Sequence, residues 1–555
     1  MTALNPGNAL RWLFSSRHGP TNRSIPRWIF LRALAAIYFS AFFSLLFQIK
    51  GLIGPNGILP AHSYLAAVDR AFPTTRFWYA PSLFWLSTSS NMLMAVTWIG
   101  LIASLIAFLN LWPRLTLFIC FLCFLSFVSS SSDFSSYQSD GMLLEAGFIS
   151  LFFAPRGIRP GWGIDHPPSR ASMFLLQWEW FRIYFESGIV KLLSGDPQWR
   201  GLTAMDEYYQ NGPLPTWIGW YVEHLPHWFH VASAAGTLVL ELGLVFMLFL
   251  PRRVRLLCFF IVTPWEVGVI ITANYTFLNY LVLSLGVLLL DDDFLLRFVP
   301  ARYFPKRQPA VARLEVHDET DSAAPISLSE AHSGEEPSAT RPIQQRLAPY
   351  LNAIRMAVAV IMLTWIAYAT TAELIGIPLR TIPFPTAPIA ALEPFRIANQ
   401  YGLFAVMTSG RYEIEFQGSN DGKQWIAYPF RYKPQALNEP PRVYAPYQPR
   451  FDWNLWFASL GDWRQNNIVP LTEERLLSNE PDVLALFKSN PFPKAPPRFV
   501  RAVLWQYWFT SIDEKRRTGN WWRRQLLGLY APEITSTGEG KFAIVQWPDE
   551  LPPHN

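Results

Sequence analysis

Through roughly its first 300 positions the chain alternates long apolar runs with short polar ones. Beyond about position 380 it changes to a two-residue alternation. A helix needs about 20 apolar residues to cross the hydrocarbon core of a bilayer. Stretches at 30–49, 91–110, 115–131, 141–154, 172–193, 230–250, 254–272, 275–291 and 351–370 reach or approach that length, the fourth and eighth being short. They predict a polytopic α-helical membrane bundle of about nine transmembrane helices. Eight fall within 30–294, and the last, at 351–371, follows a segment at 295–350 rich in Pro, Ser, Ala and both charge signs, read as a disordered cytoplasmic linker.

In the later region, RYEIEFQGSNDGKQWIAYPFRY sets Tyr412, Ile414 and Phe416 on one side, turns at Ser419-Asn420-Asp421-Gly422 and resumes with Trp425 and Tyr428. That is a β-hairpin, with Trp425 in core register. FRIANQYGLFAVMTSG is expected to add a strand; FDWNLWFASL, DVLALFKSN and FVRAVLWQYWF read as short helices or aromatic packing elements. Residues 380–555 are therefore expected to form an α+β domain with a small β-sandwich-like sheet. At about 175 residues it is long enough to bury its own core.

The distribution of Lys and Arg orients the bundle, because cytoplasmic loops hold the excess. The basic N-terminus (1–29), Arg114, the Arg156/Arg159/Arg170 loop, the Arg252/Arg253/Arg255 turn and 295–350 fall on one side. Loops 51–90 and 194–229, the acidic SSSSDFSSYQSD and the region 380–555 fall on the other. The N-terminus is thus expected in the cytosol, as an uncleaved signal anchor, and the C-terminal domain in a periplasm or lumen. Composition agrees with membrane residence: 51% of residues are hydrophobic, 16% are charged, and the mean hydropathy is +0.14. The net charge of +5 comes largely from arginines beside apolar runs, with no basic stripe, so nucleic acid is not an expected partner. All three cysteines lie in apolar runs, which excludes a disulfide-built fold; the CxxC pair Cys120/Cys123 reads as lipid-side packing.

Candidate chemistry concentrates in QWEWFRIYFESGIVKLLSGDPQW. At about 100° per residue, Glu179, Arg182 and Glu186 share one helix sector, while Tyr184, Ser187 and Lys191 share another. The first set reads as an intramembrane polar network, Arg182 being flanked by acids at i−3 and i+4. In the second, Lys191 is either a general base with Ser187 and Tyr184 as neighbours, or a helix-end lysine that snorkels to water. EHLPHWFH places His224, His227 and His230 together, but Pro226 interrupts the register and the spacing is not HExxH, so they read as interface residues and no metal is expected. Asp291, Asp292 and Asp293 read as a solvated helix end, and GLIGPNGILP lacks phosphate-loop spacing. There is no GxSxG elbow, so the chain is not read as a lipase, and no cofactor is expected. The aromatics of WNLWF and WQYWF, namely Trp453, Trp456, Trp505 and Trp508, are candidates for a client-binding surface.

FLRALAAIYFSAFFSLLFQIKGLIGPNGILPA, FLLQWEWFRIYFESGIVKLLSGDPQWRGLTAMDEYYQNGPLPTWIGWY, NYTFLNYLVLSL, NQYGLFAVMTSGRYEIEFQGSNDGKQWIAYPFRYKP, APYQPRFDWNLWFASL and NPFPKAPPRFVRAVLWQYWFT together resemble the lipase maturation factor family. The resemblance covers nearly the whole chain. It implies a multi-pass protein, resident in the endoplasmic reticulum in animals, whose exported domain helps secreted lipases fold and assemble: a chaperone-like, non-enzymatic role with a lipase or other exported hydrolase as partner. Two departures bear on it: the exported part has no cysteine, and nothing in the sequence marks the client as a lipase. SGIVKLLSGDPQW is more distantly similar to vitamin K-dependent carboxylases and their HTTM relatives, and that resemblance implies a membrane enzyme with Lys191 as base. The carboxylase's nearby histidine has no counterpart in SSYQSDGMLLE, where Gln138 or Asp140 stands instead.

Overall fold

The computed structural model of the chain describes residues 6–135, 137–298, 343–538, 541–548 and 550–551. Its main helices are α1 Ser24–Leu46, α2 Ser90–Phe108, α3 Pro113–Val128, α4 Gln138–Phe153, α5 Arg170–Leu193, α6 His227–Leu242, α7 Arg252–Thr272, α8 Leu278–Gly286 and α9 Ile343–Leu379. Side chains that satisfy free amides set several of their starts: Ser89 accepts from the Met92 amide before α2, Ser169 from the Ser172 amide before α5, and Pro113 opens α3.

Among the described residues, five helices are long and apolar enough to cross a membrane: α1, α2, α6 with its extension to Phe249, α7, and α9 over Tyr350–Leu379. The expected count of about nine is not met by this measure. α3 and the α8 stretch Leu278–Leu289 are apolar but shorter. α4 has 16 residues, about 24 Å of helix against a hydrocarbon core of about 30 Å. α5 has 24 residues but carries Glu179, Arg182, Glu186 and Lys191. α1 is apolar on every side and lies at the centre of the bundle, 61% buried over its apolar window, whereas α7 at 17% is peripheral. Cys120 and Cys123 are buried against neighbouring helices, not turned to lipid as expected.

The two ends of the bundle differ. At one end Arg27 donates to the carbonyls of His166 and Gly163 at 2.6 and 2.7 Å. Asp291 pairs there with Arg252 at 2.6 and 2.8 Å. Asp292 accepts from the Ser24 and Ile25 amides at 3.2 and 2.8 Å, capping α1. Asp291 and Asp292 are therefore buried, which corrects the solvated end expected of this run for those two residues; Asp293 is exposed. The expected linker falls mostly at 299–342, outside the described residues, and α9 already begins at Ile343.

The opposite end carries the C-terminal domain. Gln48 donates to the Gln448 carbonyl at 2.9 Å, Arg475 to the Gly57 carbonyl at 3.0 Å, and Arg411 to the Gln210 carbonyl at 2.8 Å. Strands β1 Arg411–Ser419, β2 Ile426–Ala427, β3 Phe499–Phe509, β4 Trp522–Leu529, β5 Glu533–Gly538 and β6 Lys541–Gln546 form one antiparallel sheet, ordered β2-β1-β3-β5-β6 with β4 also on β3. This corrects the sandwich-like expectation: the second layer is helical. Helix α10, Arg450–Ala458, packs Phe451 against Phe416, Phe430 and Phe487 over the sheet. FVRAVLWQYWF is the central strand β3, because its β-branched and aromatic residues pair on both edges. The hairpin forms as β1 and β2, with Tyr428 buried and Trp425 half-buried beneath the Arg501 guanidinium, 3.9 Å from its ring centroid. FRIANQYGLFAVMTSG forms no strand; it runs irregularly into the helical bundle.

Candidate functional site

That irregular segment meets α5. The polar sectors of α5 face different neighbours, because residues three and four apart share a face while those five apart do not. On the first sector, Arg182 pairs with Glu145 of α4 and lies 3.9 Å from Glu186, all three fully buried. The same guanidinium donates to the Asn399 carbonyl at 2.6 Å. Glu145 accepts from the Asn399 amide at 3.1 Å and from the Tyr401 hydroxyl at 2.9 Å, and Glu186 accepts from the Tyr401 amide at 2.6 Å. Glu179 is buried beside Arg182 and the backbone of Ala146, with no hydrogen bond of normal geometry to either carboxylate oxygen. Burial, and then the Glu145 charge, pushes the Tyr401 phenol well above its ordinary range, so it remains a donor. The network thus joins α4, α5 and the chain entering the C-terminal domain. A charge network of this kind resists separation, since removing one partner strands the others in low dielectric.

On the second sector, Lys191 is not a snorkelling helix end. Its ammonium is buried and donates to both carboxylate oxygens of Glu241 on α6, at 2.8 and 2.9 Å. Tyr184 donates to Glu266 of α7 at 2.5 Å, and Asn279 of α8 donates to the other oxygen at 2.6 Å. Ser187 donates to the Ile183 carbonyl at 2.6 Å and accepts from the Leu403 amide at 3.2 Å. The structure therefore brings Tyr184, Ser187 and Lys191 to one cavity and leaves Glu186 outside it. Sequence reasoning missed Glu145, Glu241, Glu266 and Tyr401. Single acids within apolar runs were the available signal for the three glutamates; nothing local marks Tyr401.

A model of the lipase maturation factor transmembrane domain matches residues 25–297, and one of the lipase maturation factor C-terminal domain matches 397–532. The chain is 30% identical to Lipase maturation factor 2 of Homo sapiens over 594 residues, covering 92% of this chain and 83% of that protein. It belongs to the lipase maturation factor family. Lipase maturation factor 1 of Bos taurus is 29% identical over 542 residues, covering 94% of this chain and 91% of that protein. No solved structure matches the chain. In this lipase maturation factor family member both polar sectors of α5 lie within the transmembrane match, and the segment that seals them, from Asn399 to Phe404, opens the C-terminal match.

The aromatic candidates of the C-terminal domain separate. Trp453 is buried edge-on to Tyr137 and Tyr275, and Trp456 is buried with its indole donating to the Asn211 carbonyl at 3.0 Å. Both therefore join the domain to the bundle, so the expected shared client surface does not form from them. Trp505 and Trp508 point to opposite faces of β3, since they are an odd number of residues apart. Trp505 lies beneath the Arg524 guanidinium, 3.9 Å from its ring centroid, and donates to Glu415 at 3.3 Å. Trp508 is half-exposed, with Arg523 alongside.

The histidines are held apart by different partners: His224 by the Trp220 and Thr510 carbonyls, His227 by Asp206, His230 by the Leu225 carbonyl. Among the described residues, no three or more His, Cys, Asp or Glu side chains gather so as to hold a metal ion.

Proposed function

We propose that the protein is a membrane-anchored maturation factor that assists folding and assembly of a secreted lipase or related exported hydrolase. The observation that carries this is the pair of family matches, 25–297 and 397–532, falling on two regions joined by the buried Arg450–Asp140 ion pair and by the hydrogen bonds of Asn399 and Tyr401 to Glu145 and Glu186. The bundle holds the C-terminal domain at a fixed attitude to the membrane, where an emerging client would meet it. We place that domain on the exported side and the N-terminus in the cytosol. Support comes from Arg23, Arg27, Arg252 and Arg255 gathering at the end of the bundle away from the domain. The carboxylase-like alternative loses ground because both oxygens of Glu241 engage Lys191, leaving no free amine to act as base.

The test is co-expression with a secreted lipase, reading lipase activity per mass of lipase protein in the medium. The full chain is expected to raise that ratio severalfold over a vector control. An unchanged ratio with the chain present in membranes would overturn the reading.

A further inference from the structure

Between α5, α6, α7 and α8 lies a cavity of about 90 Å³, closed on one side by Leu403 and Phe404 of the segment entering the C-terminal domain. Its ionisable carboxylates and amines are Lys191, Glu241 and Glu266. Lys191 and Glu241 neutralise each other. Glu266 has no cation facing it among the described residues; each of its oxygens accepts one hydrogen bond, from Tyr184 and from Asn279. With Glu266 ionised, one lysine against two glutamates leaves the cavity short of one positive charge, in a setting where an uncompensated charge is costly.

We propose that this cavity binds a ligand through an ammonium group, carried by a phospholipid headgroup or by a free amine. The walls suit that group. Trp199, Trp265, Tyr208 and Tyr275 line the cavity, and aromatic faces attract cations. The wall already serves one ammonium in this way, since the Lys191 nitrogen lies 5.1 Å from the centroid of the Trp199 ring. The volume takes a headgroup and not an acyl chain, and α6 and α7 are sparsely covered by protein, at 28% and 17% over their apolar windows, which puts the site beside faces open to lipid. Because Leu403 is tied to Ser187, occupancy of the cavity bears on the seam that holds the C-terminal domain. This inference goes beyond the maturation role and does not depend on the client.

The experiment uses the full chain in detergent, offered phosphatidylethanolamine, phosphatidylglycerol or ethanolamine at equal concentration, with retention read by native mass spectrometry. Phosphatidylethanolamine is expected at about tenfold or greater occupancy over phosphatidylglycerol, and E266Q is expected to abolish the difference. Binding of ethanolamine alone identifies a free amine as the ligand, and binding of the lipid only identifies the headgroup; either supports ammonium recognition. Should E266Q not fold, displacement of the retained lipid from wild type by ethanolamine and not by ethylene glycol reads the same site. Equal retention of both lipids without ethanolamine binding overturns the proposal. So does an infrared band of a protonated carboxyl that disappears in E266Q, because a proton would then supply the missing charge.

Discussion

Arg450 of α10 forks onto Asp140 at the start of α4, its two terminal nitrogens 2.7 and 2.8 Å from the two carboxylate oxygens, with both side chains wholly buried. The pair binds the sheet domain to the bundle at a point closed to water. A bidentate guanidinium pair fixes orientation as well as distance, which a lysine at 450 would not reproduce.

Asp140→Asn therefore strands a buried guanidinium, and a loss of about 3–5 kcal/mol is expected. Thermal unfolding of the full chain checks the loss, and limited proteolysis between the bundle and the domain locates it. Asp140→Leu combined with Arg450→Met should recover much of the stability, since neither variant then leaves a lone charge.

The second buried pair allows a sharper discrimination. Lys191→Met alone leaves Glu241 unpaired and should lower the yield of folded chain, with a stability loss of about 3–5 kcal/mol. Adding Glu241→Leu should restore part of it, with a coupling of about 1–3 kcal/mol in the double-mutant cycle. On the proposed role, the double variant should also regain maturation of the co-expressed lipase if Lys191 is structural. A catalytic lysine predicts the opposite: stability recovered and function still absent.

Local pattern carried the helices, the hairpin and the division of α5 into two polar sectors, because each depends on residue spacing within one element. It did not carry the partners. Glu241 and Glu266 are distant in sequence from Lys191 and Tyr184, and only the packing of α6 and α7 onto α5 makes them neighbours. The same limit explains Trp453 and Trp456, whose spacing is that of any interface helix and whose burial depends on Tyr137, Tyr275 and Asn211 in other segments. FVRAVLWQYWF does not read as a strand because apolar and aromatic residues occupy both faces, so the alternation that distinguishes strand from helix is missing.

Asp452 gives a pH dependence. It accepts from the Tyr432 and Lys433 amides, both at 3.2 Å, yet burial outweighs these donors and the nearby Lys433 charge and pushes its pKa up from 3.8 to about 6. The folded state therefore holds this proton more tightly than the unfolded state. The favourable contribution is complete below about pH 3.8 and is lost as pH rises through about 6, a change of about 3 kcal/mol. Other carboxylates titrate in the same range, so the measurement is the difference between wild type and Asp452→Asn. The variant should gain stability relative to wild type as pH rises from 4 to 7, and a constant difference would contradict the assignment.

Burial also sorts the tryptophans by what their loss should do. Trp453→Ala and Trp456→Ala each empty a packed site between domain and bundle, so a stability loss of about 3–5 kcal/mol is expected, and maturation should fall with the amount of folded chain. Trp508 is half-exposed on β3, and Trp508→Ala should cost about 1 kcal/mol or less. If Trp508 contacts the client, the activity of secreted lipase per mass of lipase should drop severalfold at normal abundance of the variant in membranes. An unchanged ratio would remove Trp508 from the client surface and, with Trp505 already covered by Arg524, would direct the search away from the WQYWF strand.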